Sequence, residues 1–350
     1  MNAVLINSYG GTDVLAYGEI ADPVPAGDEA LVAVEAAAVN HLDLDLRDGS
    51  SRFPLELPHI LGLEGAGRVR GLPDGYEGPL EVGSRVLIVE EIPCGACPQC
   101  RLGRSNLCER SGWTGVTRKG TYAELIAAPL DGLIALPEER TAAEWATVQG
   151  TFGTAWHMLV TRGAVRPDEW VLVNAVGSGI GSAALQVAQL AGAKVIATAG
   201  SEAKLERARE LGAAAAVNYS TDSIREAVEE LTGGIGVDLV FEHVGGQVFA
   251  DSLDSIRVGG RMATCGAHGG EHVDLDVIEL FRAERTIIGS MSCTLAEVEH
   301  VVAMVGSGRL DPVVDRVLPL EAAAEAHRLL AARQVFGKLV LEPGIYEGMH

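Results

Sequence analysis

Short apolar runs separated by glycine and proline mark the first 150 residues of the chain. Four of these runs cover residues 30–34, 65–69, 85–89 and 122–126. Apolar runs of this length, bounded by turn-forming residues, are typical of strands in a β-rich domain. The pattern therefore predicts a β-rich, loop-rich domain over residues 1–150.

From Trp170 onward, apolar runs of four to six residues alternate with segments of helical periodicity. The predicted strands cover residues 171–174, 194–198, 214–217, 237–242, 261–265 and 286–290. The predicted helices lie between them, at residues 179–190, 201–211, 223–231, 248–255 and 276–283. Strict alternation of this kind predicts an α/β fold of the doubly wound type, in which helices cover both faces of a parallel sheet.

The chain after residue 292 is too short for a third domain. Its periodicity predicts two helices and a last strand, at residues 295–305, 321–332 and 337–341. We predict that this tail, residues 293–350, joins residues 1–150 in one domain. Residues 151–292 then form the other domain.

Composition supports two folded domains and argues against polyanions as partners. The chain has 350 residues, of which 47% are apolar, and this is enough for two separate cores. Its 27 Lys and Arg against 48 Asp and Glu give a formal charge of −21, which repels nucleic acid and anionic membrane surfaces. No apolar run reaches transmembrane length, and the first residues lack the features of a signal peptide. We expect a soluble, cytoplasmic protein that binds neither nucleic acid nor membrane.

Four of the six cysteines lie within fifteen residues, at Cys94, Cys97, Cys100 and Cys108. This clustering suits a metal site better than the disulfide framework of a secreted protein. Structural zinc prefers such a shell of four thiolates, and a filled shell leaves no place for substrate. We predict one structural zinc in the loop of residues 94–108. The alternatives are an iron–sulfur cluster and four thiols unrelated to a metal.

A glycine-rich turn follows the first predicted strand of the second domain. It comprises Gly177, Ser178, Gly179, Ile180 and Gly181. A turn without bulky side chains at a helix N-terminus lets the phosphates of a dinucleotide approach the main-chain N–H groups. Residues 170–201 also contain no Asp or Glu, which favours an anion. The alternative is a turn that only packs helix against strand.

The end of the second strand distinguishes NADH from NADPH, because an acid there binds the ribose 2′-hydroxyl and repels a 2′-phosphate. The sequence has Gly200 and Ser201 at this place, with Lys204 in the first turn of the following helix. A cation in a first turn opposes the helix dipole, and a bound 2′-phosphate would reverse that effect. We therefore predict NADPH. The alternative is that Glu202 is the acid of an NAD enzyme and Lys204 is solvated.

These motifs resemble the medium-chain dehydrogenase/reductase superfamily. The resemblance includes the cysteine loop, the glycine turn and three further segments, residues 62–67 (GLEGAG), 237–246 (VDLVFEHVGG) and 336–340 (FGKLV). It implies a GroES-like catalytic domain completed by the tail, with an inserted Rossmann nucleotide-binding domain. It also implies a homodimer or homotetramer, in which the sixth strand of the parallel sheet commonly pairs across a dimer.

Within the superfamily, Tyr219 resembles a tyrosine that lies beside the adenosine 2′-phosphate in NADPH-using quinone and enone reductases. His243 follows the fourth predicted strand, where the nicotinamide is expected. The predicted cofactor-binding residues are Gly177, Ser178, Gly179, Ile180, Gly181, Gly200, Ser201, Lys204, Tyr219, His243, Val244 and Gly266.

The chain departs from the alcohol-oxidising members of the superfamily at their second, catalytic zinc. Those enzymes hold it through two cysteines and a histidine, and the corresponding positions here are Asn40, Leu63 and the pair Gly150-Thr151. These residues cannot replace thiolate and imidazole, so alcohol oxidation loses its usual mechanism. An alternative is a rearranged zinc site formed by His41, Asp43, His59 and Glu64.

Hydride delivery to a carbon that conjugation already activates needs no metal. We therefore predict an NADPH-dependent reductase of α,β-unsaturated carbonyls or quinones. Asn40 would donate a hydrogen bond to the substrate, and Asp43 would fix the loop. Glu64 would support the site, and His59 is a candidate proton donor. The alternatives are an alcohol or aldehyde oxidoreductase with an unusual or absent catalytic metal, and an NADPH-binding protein without turnover.

Overall fold

A computed structural model describes residues 1–344. The spacing of Cα atoms divides the chain into two compact units. The first unit consists of Met1–Gly150, Val298–Gly308 and the tail from Pro312. The second unit consists of Thr151–Glu297 and Arg309–Asp311.

The first 150 residues form ten strands and three α-helices. The strands are β1 (Asn2–Ile6), β2 (Ala16–Glu19), β3 (Glu29–Ala38), β4 (His59–Ile60), β5 (Glu64–Gly71), β6 (Arg85–Ile88), β7 (Glu91–Ile92), β8 (Gly112–Trp113), β9 (Leu125–Pro129) and β10 (Leu133–Ala135). The helices are α1 (His41–Asp48), α2 (Pro98–Arg101) and α3 (Ala142–Trp145).

A helical segment with unusual hydrogen bonding follows α3. Two π-helical stretches, Gln149–Gly153 and His157–Arg162, flank one turn of α-helix, α4 (Thr154–Trp156). The sequence pattern predicted neither a helix nor a strand here. In a π-helix residue i bonds to residue i+5, and this shifts the apolar period on which the prediction depends.

The remaining elements alternate strand and helix until the tail. The strands are β11 (Trp170–Val173), β12 (Lys194–Ala199), β13 (Ala215–Asn218), β14 (Val237–Glu242), β15 (Ile256–Thr264), β16 (Thr286–Gly289), β17 (Val314–Pro319) and β18 (Lys338–Glu342). The helices are α5 (Gly179–Leu190), α6 (Glu202–Glu210), α7 (Ile224–Leu231), α8 (Gly246–Asp254), α9 (Val277–Arg282), α10 (Leu295–Gly306) and α11 (Ala323–Ala331).

The second unit contains a six-stranded parallel sheet with the order β13-β12-β11-β14-β15-β16. The predicted doubly wound sheet is therefore confirmed. The largest difference from the predicted boundaries is in β15, which begins at Ile256 rather than at residue 261. Val171, Leu172 and Val173 in the central strand β11 are fully buried, as expected of a strand covered on both faces.

The main sheet of the first unit has the order β10-β6-β5-β3-β18-β17, and β9 also pairs with β3. Strand β18 comes from the tail and runs antiparallel to β3, with Val340 opposite Ala38. The buried core joins Leu46 and Ile60 to Leu339 and Leu341 of the tail. The tail therefore supplies both a strand and core side chains to this β-rich, GroES-like unit.

The helices are short or carry charged residues. None of the helices in residues 1–344 has both the length and the apolar character that crossing a bilayer requires.

Candidate active site

Asp43 lies at the start of α1, where three hydrogen-bond donors converge on its carboxyl group. Asn40 N donates to Oδ2 at 2.8 Å, Gly62 N donates to Oδ1 at 3.0 Å, and the Tyr122 hydroxyl donates to Oδ2 at 3.2 Å. Burial raises the pKa of Asp43 to about 6, and these hydrogen bonds and Lys338 oppose the rise. Both oxygens of Asp43 are thus engaged in holding the loop between β3 and β5.

A buried chain of hydrogen bonds ends on Asp43. Arg47 Nη1 lies 3.3 Å from His327 Nδ1, and His327 Nε2 lies 3.3 Å from the Tyr122 hydroxyl. A guanidinium can only donate, so His327 Nδ1 accepts and the ring proton on Nε2 points at Tyr122. Tyr122 then donates to Asp43. Burial and Arg47 lower the pKa of His327 to about 3, so this imidazole is neutral.

Glu64 is fully buried at the start of β5, opposite Ala38 at the end of β3. Its Oε1 accepts from Lys338 Nζ at 3.1 Å and from Asn40 Nδ2 at 3.3 Å. Its Oε2 accepts from Gly150 N at 2.8 Å. Lys338, the first residue of β18, also donates to Asn40 Oδ1 at 2.7 Å. An amide, a carboxylate and an ammonium group thus form a hydrogen-bonded triangle, the Asn40–Glu64–Lys338 cluster.

This cluster fixes the orientation of the Asn40 amide. An ammonium group only donates, so the atom facing Lys338 is Oδ1, and a carboxylate only accepts, so the atom facing Glu64 is Nδ2. Nδ2 carries two hydrogens, and within residues 1–344 it meets one acceptor, Glu64. Asn40 is half-buried. The arrangement therefore leaves one N–H of Asn40 for a ligand oxygen.

Gly150 can approach the Glu64 carboxylate closely because it lacks a side chain. A Cβ at this position would lie 2.7 Å from Glu64 Oε1. A larger residue would displace the carboxylate that accepts from Gly150 N. Leu63, the neighbour of Glu64, is 2% exposed and belongs to the apolar core.

His59 lies in the short strand β4, opposite Ile6 of β1. The residue is 5% exposed, and burial lowers its pKa against the opposing effect of main-chain groups of Gly115 and Glu56. Its Nε2 is buried without a hydrogen-bond partner among residues 1–344. The structure therefore brings together Asn40, Asp43 and Glu64 of the four predicted catalytic residues and leaves His59 outside the Asn40–Glu64–Lys338 cluster.

Sequence reasoning missed Lys338 and Glu90. Glu90 N donates to Gln149 Oε1 at 2.9 Å, and Gln149 directly precedes Gly150. Burial and the neighbouring carboxylate of Glu64 raise the pKa of Glu90 to about 8. The available signal was a pair of adjacent acids immediately after a buried apolar strand.

The four cysteines of the loop 94–108 converge, with their Sγ atoms all within 4.8 Å of one another. Cys97 Sγ lies 3.5 Å from Cys100 Sγ and 3.9 Å from Cys108 Sγ. Zn–S bonds of about 2.3 Å in a tetrahedron place sulfur atoms about 3.8 Å apart, so these spacings fit zinc. The main-chain N–H groups of Cys94 and Arg110 donate to Cys108 Sγ at 3.2 and 3.4 Å, and these bonds hold the loop around the four sulfur atoms.

Ser178 links the glycine turn to the next strand of the parallel sheet. Its Oγ accepts from Gly181 N at 3.0 Å, which caps α5, and lies 3.0 Å from His243 Nε2. The turns that follow β11 and β14 therefore meet at the point where the strand order reverses, which is where dinucleotides bind in this type of sheet. A Cβ at Gly181 would lie 2.5 Å from Ala175 O, so only glycine allows this helix to start so close to the turn.

Glu242 supports the turn after β14 and was also missed in the sequence. It is fully buried, and its Oε1 accepts from Val244 N at 2.7 Å and from Gly245 N at 2.8 Å. The turn after β15 packs against the same segment, since a Cβ at Gly266 would lie 2.4 Å from His243 O. His243, Val244 and Gly266 are therefore brought together, as the predicted set of cofactor-binding residues requires.

The residues predicted to bind the 2′-phosphate also converge. A Cβ at Gly200 would lie 3.0 Å from Tyr219 Cε2, and a Cβ at Gly177 would lie 2.7 Å from Lys204 Cδ. The Lys204 side chain therefore crosses the glycine turn from the first turn of α6. Glu202 pairs with Arg209 on the same helix, with Oε1 and Nη1 2.5 Å apart.

Two family models match the chain. One describes an alcohol dehydrogenase GroES-like domain and matches residues 26–138, and the other describes a zinc-binding dehydrogenase and matches residues 179–307. An alcohol dehydrogenase of Geobacillus stearothermophilus is 30% identical over 93% of this chain and 95% of that protein. The chain belongs to the medium-chain dehydrogenase/reductase superfamily.

Members of the superfamily with different named activities resemble this chain over nearly its whole length. The crystal structure of an NAD-dependent alcohol dehydrogenase superposes with a TM-score of 0.94 at 43% identity, and the match covers 98% of this chain and 100% of that one. An acryloyl-coenzyme A reductase of Sulfurisphaera tokodaii is 26% identical over 93% of this chain and 95% of that protein. This medium-chain dehydrogenase/reductase is therefore an oxidoreductase.

The positions of possible ligand atoms test the alternative zinc site that the sequence suggested. Within the described part of the chain, the cysteine loop is the single group of three or more His, Cys, Asp or Glu side chains whose ligand atoms lie within 4.8 Å of one another. The alternative zinc site, from His41, Asp43, His59 and Glu64, is therefore not assembled by residues 1–344.

Proposed function

We propose that this medium-chain dehydrogenase/reductase is an NADPH-dependent reductase of the enone or quinone type, acting without a catalytic zinc. The observation that carries the proposal is the Asn40–Glu64–Lys338 cluster, since the resemblance aligns Asn40 with a zinc-ligating cysteine of the alcohol-oxidising members of the superfamily. When bound, the dihydronicotinamide supplies a hydride. The protein then has to orient the substrate, polarise its carbonyl group and deliver a proton.

Asn40 would polarise the substrate carbonyl. Its amide is held by Lys338 at one end and by Glu64 at the other, which leaves a single oriented N–H. A donor whose direction is fixed before the reaction stabilises developing negative charge on oxygen without reorganising. Asp43 would keep this loop in place through its hydrogen bonds to Asn40 N and Gly62 N.

The choice of NADPH rests on the residues at the ends of β12 and β13. Lys204 offers a cation beside the glycine turn, and Tyr219 offers an aromatic edge against Gly200. Glu202, which could have served as the acid of an NAD enzyme, is already paired with Arg209. An acid that is neutralised in this way repels a 2′-phosphate less than an unpaired one would.

The cysteine loop would hold one structural zinc per chain through Cys94, Cys97, Cys100 and Cys108. The donor set is all sulfur and its spacing is tetrahedral, so it offers no open position for chemistry. Zinc would close the loop around Gly95 and Gly103 and would take no part in the hydride transfer.

A homodimer or homotetramer is supported by an open edge strand in the second unit and by exposed apolar side chains of a nearby part of the chain. Strand β16 is the last strand of its sheet, and its edge is open to pairing within the described chain. Near it in sequence, Val277 and Phe281 of α9 are 61% and 62% exposed. Light scattering after size exclusion should give a mass of two or four chains, and a monomer would contradict the assignment.

Hydride transfer tests the reductase directly. The protein would be incubated with NADPH deuterated at the nicotinamide C4 and with cyclohexenone, benzoquinone, benzaldehyde or acryloyl-coenzyme A. We expect deuterium at the β-carbon of the unsaturated carbonyls, or reduction of the quinone. Asn40→Ala should lower kcat/KM about 100-fold. The matched control is Asn2→Ala, because Asn2 bonds to Glu124 rather than to the cluster, and this variant should behave as the wild type.

The second candidate is an alcohol or aldehyde dehydrogenase, favoured by the 43% identity to the crystal structure of an NAD-dependent alcohol dehydrogenase. Metal analysis separates the two candidates. One zinc per chain and reduction of unsaturated carbonyls support the reductase, whereas two zincs and alcohol oxidation support the dehydrogenase. Binding of NADPH without any product would leave a cofactor-binding protein without turnover.

A further inference from the structure

Glu90 is a carboxyl group near the Asn40–Glu64–Lys338 cluster for which the proposed function has no role. It lies between β6 and β7, and its N–H donates to Gln149 Oε1 at 2.9 Å. The next residue, Gly150, donates its N–H to Glu64 Oε2 at 2.8 Å. Two adjacent residues of the chain therefore hold Glu90 and Glu64.

Four neighbouring carboxyl groups differ in how many hydrogen bonds they accept, namely those of Glu64, Asp43, Glu91 and Glu90. Glu64 and Asp43 each accept three donors, and Glu91 accepts from Ser111. Within residues 1–344, no donor is bonded to the carboxyl group of Glu90. Hydrogen bonds stabilise a carboxylate as an anion, so the carboxyl group without them keeps its proton to the highest pH.

The charges around Glu90 also favour its protonated form. The carboxyl groups of Glu64, Glu91 and Asp43 face it, together with the ammonium group of Lys338. Lys338 already bonds to Glu64 at 3.1 Å, which largely offsets its charge. Burial and then the charges of Glu64 and Glu91 raise the pKa of Glu90 to about 8. At neutral pH the group is therefore a carboxylic acid with a proton to give.

Solvent still reaches Glu90, which is half-buried, unlike its neighbour Glu91, which is 5% exposed. A group that is surrounded by protein and yet accessible can contact a small molecule and can exchange its proton with water. The other candidate donor, His59, is 5% exposed, and burial lowers its pKa, so its ring holds a proton less readily than a free imidazole. Glu90 therefore combines a held proton, access to solvent and a position near Glu64 and Lys338 of the cluster.

We infer that Glu90 is the acid that protonates the substrate during reduction, an inference that rests on the proposed function. The electron pair of the hydride forms the new C–H bond at the β-carbon of the unsaturated carbonyl. The electron pair of the C=C bond passes through the enolate to the α-carbon and takes the Glu90 proton, which leaves a carboxylate. The substrate thus gains a hydride from NADPH, which becomes NADP⁺, and a proton from Glu90, and water reprotonates the carboxylate.

Turnover of cyclohexenone by Glu90→Gln tests the inference, with Glu91→Gln as the matched control. We expect kcat of Glu90→Gln to fall about 100-fold, the usual effect of losing a general acid. The wild type should lose activity above about pH 8, where Glu90 gives up its proton, and this alkaline limb should disappear in Glu90→Gln. Glu91→Gln should keep kcat below pH 7, and its alkaline limb should remain but move to lower pH, because the charge of Glu91 helps to raise the pKa of Glu90. A Glu90→Gln enzyme with kcat within twofold of the wild type would overturn the inference.

Infrared titration of the protein without cofactor gives a second readout. The C=O band of protonated Glu90 should disappear with a midpoint near pH 8 in the wild type and at a lower pH in Glu91→Gln. This component, which titrates above those of Glu91 and Asp43, should be missing in Glu90→Gln. A wild type without such a titration refutes the inference even where Glu90→Gln does not fold. The band without turnover of any substrate would instead refute the proposed function, and turnover that is insensitive to Glu90→Gln would refute only the role of Glu90.

Discussion

Lys338 and Glu64 form a buried ion pair of 3.1 Å although 274 residues separate them in the chain. Strand β18 brings the lysine to β3, and β3 pairs with β5, where Glu64 stands. The C-terminal tail therefore completes the candidate site by adding a charged side chain to it, in addition to the strand that it adds to the sheet. The pair also orients Asn40, so we expect the proposed catalysis and the stability of the first unit to depend on the same contact.

Removing the lysine should destabilise the first unit. Lys338→Met leaves the Glu64 carboxylate buried without its cation, and we expect the free energy of unfolding to fall by about 3 kcal/mol. Urea denaturation at pH 7 measures the change. The double variant Lys338→Met/Glu64→Gln removes both charges and should recover part of the loss. Equal stability of the single and double variants would show that the ion pair does not matter to folding.

A methyl group at Gly150 should disturb the cluster from the other side. The Cβ of Gly150→Ala would lie 2.7 Å from Glu64 Oε1, and the clash should cost about 1–3 kcal/mol. Thermal denaturation measures the effect as a lower midpoint. Gly18→Ala is the control, because a Cβ at Gly18 meets nothing within 4 Å. Similar midpoints for the two variants would contradict the predicted close approach.

Loss of one zinc ligand should empty the cysteine loop. Cys97→Ser removes a buried thiolate from a four-sulfur shell, so the zinc content should fall from about one per chain to near zero, with a lower thermal midpoint. Elemental analysis of freshly purified protein measures the zinc. Cys265→Ala should keep the zinc, because Cys265 lies outside the loop. Full zinc in both variants would rule out the predicted ligand set.

Cofactor preference should depend on Lys204. Lys204→Ala removes the cation beside the glycine turn, and we expect the Kd for NADPH to rise about tenfold, the effect of one charged hydrogen bond, with little change for NADH. Fluorescence titration of the two cofactors measures both constants. Lys194→Ala is the control, since Lys194 lies over the Trp170 ring at the start of β12. An equal loss for NADH and NADPH would assign Lys204 to the shared part of the cofactor.

Low pH should lower the stability of the second unit, because Glu297 then becomes protonated. Burial alone raises the pKa of Glu297, but hydrogen bonds from His157, Thr161 and Thr294 outweigh it and lower the pKa to about 2. A depressed pKa stabilises the fold above the ordinary value of 4.5, and this contribution disappears as the pH falls towards 2. Glu297→Gln should therefore cost about 2 kcal/mol at pH 7 and less at pH 3.

The control for Glu297 is Glu299→Gln. Glu299 stands on the same helix and is exposed, so its replacement should leave the unfolding curve nearly unchanged at both pH values. The same loss at pH 7 and at pH 3 for Glu297→Gln would assign the effect to packing rather than to the carboxylate.

The parallel sheet and the cysteine loop were predictable because their signals lie in short, contiguous stretches. Strand and helix alternate over residues 171–290, where the strands are short apolar runs and the segments between them have helical period, so length and period together distinguish them. The helical segment from Gln149 was not predictable, because π-helical bonding changes the period. The role of Lys338 in the site was not predictable either. The sequence places it in a terminal strand, but no residue near it indicates a carboxylate partner.

The sequence by itself determined the class of fold, the four-thiol loop, the glycine turn and the replacement of the expected zinc ligands by Asn40, Leu63 and the pair Gly150-Thr151. Each of these is a property of residue identity and of spacing along the chain. Only the tertiary structure decided that Lys338 neutralises Glu64, that the Asn40 amide has one orientation and that Glu90 keeps its proton. Those properties depend on burial and on partners that strand pairing brings from distant parts of the chain, and the order of residues does not encode them locally.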